Sequence, residues 1–102
     1  MFTWEPIAID ELQALVAAQF ESCLPAQKAF FSACRVEPYA VPFERSGELE
    51  RVWVVAELPA GLLYYEDVEE GFEIGRLDAD GVLHDNGCNQ LDLSAAMIRW
   101  GS

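Results

Sequence analysis

The hydrophobic period of this chain changes at Arg35, and that change limits its fold more than any other feature. Before it, "IDELQALVAAQFESC" places Ile9, Leu12, Val16, Phe20 and Cys23 at spacings of three and four, with Leu15 widening the stripe. Side chains three and four apart share one helix face, so the segment predicts an amphipathic helix. Asp10 is the expected N-cap, with Gln13 three residues on as the other half of a capping-box-like pair. Pro25 ends this helix, because its ring drives Leu24 out of the helical region. It also suits the first position of a second, shorter helix, "PAQKAFFSAC". A strand beginning at Phe30 is the alternative there, and helix is preferred.

After Arg35 the apolar runs are short and separated by turn signals. "CRVEPYAVPFER" is strand-like but contains Pro38 and Pro42. Four residues apart on a strand, they direct their missing N–H groups to one side, which predicts an edge strand. "RSGE" turns the chain into "ERVWVVAEL", the most apolar run and the expected centre of a sheet. "LPAG", "EEG" and "DADG" separate the further runs "LLYYEDV", "FEIGRL" and "VLH". "NQLDLSAAMIRW" then reads as a closing helix capped by Asn89. The expectation is a single α+β domain over residues 1–102: an antiparallel meander of four to five strands, one or two N-terminal helices and a C-terminal helix, with the helices on one sheet face.

Charge bears on function. The chain is 52% apolar yet carries 18 acids against six bases, a net charge of −12. That sign opposes nucleic acid, whose binding needs cations to displace counterions from phosphates, and it opposes anionic membranes. It favours a basic protein partner. The opening "MFTWEPIAIDELQ" lacks a basic segment followed by a continuous apolar one, so no secretory signal is expected. Three cysteines, Cys23, Cys34 and Cys88, are odd in number and widely spaced. Reduced thiols in the cytoplasm are the simplest reading.

Sites for chemistry are weakly signalled. Cys88 lies four residues from His84, the one histidine, with Asp85, Asn86 and Asn89 nearby. These are the residue types of an activated thiol, but catalytic pairs generally come from separate elements. An idle Cys88 is expected, and a small thiol enzyme or redox sensor is the alternative. The cysteines lack zinc-site spacing, and "DADG" lacks the first carboxylate and terminal glutamate of a calcium loop. No phosphate-binding glycine pattern occurs, and nothing singles out a desolvated carboxylate pair for sugar hydrolysis. No metal, cofactor or catalytic residue is expected.

The acidic segment "YYEDVEEGFEIG" is the remaining candidate. Residues 66–85 hold eight acids, and Arg76 is the only lysine or arginine between Val52 and Ile98. Alternation puts Tyr64 and Tyr65 on opposite faces. Val68 assigns the Tyr64 face to the core, which places Tyr65 outside with Glu66 near the rim. Phe72 and Ile74 then point inward and Glu73 outward. Tyr65, Asp67, Glu69, Glu70 and Glu73 are therefore the expected contacts with a cationic partner. The resulting reading is a small acidic protein-binding module without catalytic activity, one able to inhibit a basic protein as an immunity protein or antitoxin does. A third reading, a structural homodimer or larger homo-oligomer, follows from Trp4, Trp53, Trp100 and the apolar content.

Overall fold

A computed structural model describes residues 7–85 and 90–101. Helix α1 (Ile9–Glu21) and helix α2 (Pro25–Cys34) come first. The strands are β1 (Arg35–Arg45), β2 (Glu48–Leu58), β3 (Gly61–Glu66), β4 (Gly71–Gly75) and the short β5 (Leu83–His84); helix α3 (Leu93–Trp100) closes the chain. The α+β class is as expected, and the change of element falls at Arg35, where the period changes. The helix starts differ in detail. Ala8, not Asp10, caps α1, its carbonyl accepting from the Leu12 N–H at 2.9 Å. Asp10 lies in the first turn, where a carboxylate still favours the positive end of the helix dipole. Asp92 caps α3, accepting from the Ala95 N–H at 2.8 Å. The cap expected at Asn89 lies outside the described residues.

The strand order is β4-β3-β2-β1-β5, with β2 central. Strands β1 to β4 form the antiparallel meander. Ser46 and Gly47, both at positive φ, make the two-residue β1–β2 turn, which matches the twist of a tight hairpin. The fifth strand departs from a meander. It crosses to the far edge and pairs parallel with β1 at Phe43 and Glu44. Strand β1 is thus not the edge strand the prolines predict, but their effect is visible. The Glu44 carbonyl accepts from the Asp85 N–H, so the polar groups of Glu44, and by alternation those of Pro42, face away from β2. Pro42 offers no donor there, and β5 pairs only beyond it. Pro38 falls where the β1–β2 register slips, between Arg35 and Tyr39.

Both sheet faces are buried. The helices cover one, where Leu12, Val16, Phe31, Leu63, Tyr65 and Phe72 share a core with Leu93 and Met97 of α3. On the other, Val41, Phe43, Val52, Val54, Tyr64 and Leu83 form a second cluster. Leu83 reaches it because the chain returns from β4 to β1. A Cβ on Gly75 of β4 would lie 3.1 Å from the Leu83 side chain of β5. The two edges therefore approach each other, and the sheet curls around Phe43 and Tyr64, whose rings are 5.6 Å apart.

Candidate functional site: the acidic end of the sheet

Antiparallel pairing sends the β1–β2 turn and the β3–β4 turn to the same end of the sheet, and β5 also ends there. This end gathers Glu44, Glu48, Glu50, Glu66, Asp67, Glu69, Glu70 and Asp85 from segments far apart in sequence. Arg76, the lone base of the acidic stretch, lies at the opposite end, donating to the Pro59 carbonyl at 3.1 Å. The carboxylates here separate into a set paired with Arg45 and a set at the rim.

Arg45 organises the paired set, in which Glu66 is buried, Glu50 half-buried and Asp85 exposed. Its guanidinium pairs with Glu66 through Nη2, with Glu50 at 3.3 Å through Nε and with Asp85 at 3.2 Å through Nη1. Glu66 is 1% exposed, its second oxygen accepting from the Val68 N–H at 3.2 Å. Burial pushes the Glu66 carboxyl above its usual value, against the lowering effect of Arg45. Arg45 also stacks over Phe43, its guanidinium carbon 5.2 Å from the ring centre. One cation thus pairs with three acids, from β2, β3 and the residue after β5. Glu73 shares the face of Tyr64, its cross-strand partner, and is buried rather than outside as expected.

Asp67 serves the helical side. Its Oδ2 accepts from the Ile7 N–H at 2.6 Å, and the Ile7 carbonyl accepts from the Trp53 indole at 2.7 Å. The two contacts fasten the start of α1 to the sheet, bringing the acidic first turn, Asp10 and Glu11, towards the same end. Burial raises the Asp67 pKa, opposed by the Ile7 hydrogen bond. Tyr65 is the clearest correction. It is 5% exposed and meets Phe72 edge-on at 5.2 Å, inside the helix-side core. The two tyrosines do lie on opposite faces, but neither face is open, so Tyr65 offers no ring to a partner.

His84 marks the β5 edge. Its Nδ1 lies 3.0 Å from Glu44 and its Nε2 2.5 Å from Asp78. Asp78 also accepts from the Asp80 and Val82 N–H groups, so "DADG" is the expected turn. Bonding to Asp78 and then Glu44 raises the His84 pKa, and the same contact lowers that of Asp78. Both ring nitrogens are thus engaged by carboxylates. Cys88, with the activated-thiol reading, lies outside the described residues, as does Trp4. Cys23 and Cys34 are free thiols. Among the described residues no group of His, Cys, Asp and Glu is arranged to hold a metal ion.

Among the described residues the acidic end exposes Glu48, Glu70, His84 and the Arg45-paired Asp85, with Glu44 and Glu69 half-buried at the rim. Two large apolar side chains stand among them: Leu49, 69% exposed, and Val68, 49% exposed. Neither was expected as a contact, although the position of each beside a turn was readable. Comparison with protein-family models, curated proteins and solved structures finds no match for the chain. No helix among the described residues is long and apolar enough to cross a membrane.

Proposed function

We propose that this chain is a non-catalytic binding module that grips a basic protein through the acidic end of its sheet, inhibiting the partner if the covered surface is its working surface. The observation that supports this reading is the pairing of exposed carboxylates at two hairpin tips with the exposed apolar residues Leu49 and Val68. Carboxylates steer a cationic surface towards them, and apolar groups at the centre of a contact supply the desolvated area that holds it. Tyr65, Asp67 and Glu73 leave the contact set; Glu69 and Glu70 stay, joined by Glu48. The thiols Cys23 and Cys34 suit a reducing compartment, so a cytoplasmic setting belongs to the same reading.

The test is to capture partners on the immobilised protein, elute them with rising salt, and repeat with a Glu48→Lys, Glu69→Lys, Glu70→Lys variant. The reading requires a basic protein that is released by salt and lost in the variant. Capture of a neutral or acidic protein, or retention by the variant, rejects it.

A further inference from the structure

The face formed by α2 and α3 has the opposite character from the acidic end. Helices α2 and α3 carry Lys28 and Arg99 and not one carboxylate, in a chain of net charge −12. Between them runs a groove whose lining includes Ala26, Phe30, Met97 and Gly101. On its flanks stand Leu24, 64% exposed, and Ile98, 74% exposed, the latter the most exposed large apolar side chain among the described residues. Leu24 is held outward because Gln27 accepts its N–H at 2.8 Å and fixes the start of α2. Gln27 also accepts from the Ser94 hydroxyl at 2.9 Å, tying α2 to α3 and keeping the groove's shape.

From this we infer that the α2–α3 groove is the contact between two copies of this chain, related by a two-fold axis. Two bodies of charge −12 repel wherever their carboxylates face each other, and none of the residues lining this groove carries one. The surface is also self-complementary. Projecting apolar side chains stand beside an apolar hollow, so a two-fold sets Leu24 and Ile98 of each copy in the groove of the other, which is how an isologous interface closes. The basic partner of the acidic end is a poor occupant, since the groove's lining carries no carboxylate to draw it. Trp53 and Trp100, the aromatics that first suggested self-association, pack against the helix-side core instead.

The inference is independent of the proposed function, and salt separates the two. Binding of a basic partner weakens with salt, whereas a dimer of two acidic chains tightens as salt screens their mutual repulsion. The experiment is light scattering or sedimentation equilibrium of the full chain from micromolar to millimolar concentration, at about 0.05 M and about 0.5 M salt, where the Debye length falls from about 14 to about 4 Å. A concentration-dependent dimer, tighter at high salt, is expected. Ile98→Asp and Leu24→Asp should each weaken it about tenfold or more, while Leu49→Asp at the other end leaves it unchanged. All three side chains are exposed, so the variants should fold, and circular dichroism checks that they do. A monomer at every concentration and salt, a dimer indifferent to both groove substitutions, or one abolished by Leu49→Asp overturns the inference.

Discussion

Arg45 of β1 reaches across β2 to pair with Glu66 of β3, two strands away. The curl of the sheet makes that reach practicable, and Glu50 on the strand between them joins the same guanidinium. A buried carboxylate deprived of its cation costs far more than the pair contributes, because the remaining charge keeps its desolvation penalty.

Arg45→Met should therefore destabilise the fold by about 3–5 kcal/mol at neutral pH, as measured by urea unfolding. The deficit should shrink on acidification, since Glu66, already raised by burial, can then take up a proton and lose its unpaired charge. Glu66→Gln keeps the shape without the charge and should cost less. Equal costs for the two substitutions at every pH would show that the network is not electrostatic.

The overall pH dependence follows from four groups. Glu66 and Asp67 titrate above their unfolded values, so the folded state holds their protons more tightly. Their contribution is complete below the unfolded pKa and is lost as pH rises through the folded one. His84 behaves likewise: its clamp between Asp78 and Glu44 is strongest below the unfolded value of 6.5 and is lost as pH rises through the raised folded value. Asp78 has the opposite sign, its contribution present above 3.8 and lost as pH falls through its lowered value. Stability should thus rise as pH is lowered from alkaline values to about 5, helped by the relief of net negative charge. His84→Gln should flatten the part of that curve around and above neutrality. A urea midpoint that rises steadily with pH from 5 to 8, in either protein, would contradict this assignment.

Tyr65→Ala becomes a test of the core rather than of an interface. The ring packs edge-on against Phe72 under the helices, and its truncation should cost about 3–5 kcal/mol. Tyr65→Phe keeps the packing and should cost much less. A freely folded Tyr65→Ala of near wild-type stability would return Tyr65 to the surface.

That residue shows where the sequence was readable and where it was not. The helix stripe, the turn residues and the alternation of Tyr64 and Tyr65 are local signals, and each element they predict is present. Which face is wet is not local. It depends on residues 76–82 carrying Leu83 back over the Tyr64 face, and on Arg45, 21 positions before Glu66, supplying the charge that lets an acid be buried. Counting Tyr65 and Glu73 as outward was reasonable for a sheet with one open face and wrong for a curled one. Gln19 and Gln27 were invisible for the same reason. Gln19 accepts the Leu93 N–H at 2.7 Å, so each glutamine ties α3 to another helix through a contact more than 60 residues apart in sequence.

The acidic end divides its work between charge and apolar area, and kinetics can separate them. Glu48 and Glu70 are exposed at different hairpin tips, and neither is counted in the Arg45 network. Their reversal to lysine should leave stability nearly unchanged and slow association with a basic partner, most at low salt, because steering acts before contact. Leu49→Ala and Val68→Ala remove area that is buried only in the complex. They should leave association nearly unaltered and speed dissociation, about tenfold for Leu49 if it sits at the centre of the contact. Asp67 is half-buried and holds the Ile7 N–H, and Glu73 is buried, so the effect of Asp67→Asn and Glu73→Gln should fall on folding before it reaches binding. Surface plasmon resonance over a salt series, paired with urea unfolding of each variant, distinguishes these outcomes. If Leu49→Ala and Glu70→Lys alter the same rate constant to the same degree, the two hairpin tips do not divide steering from holding in this way.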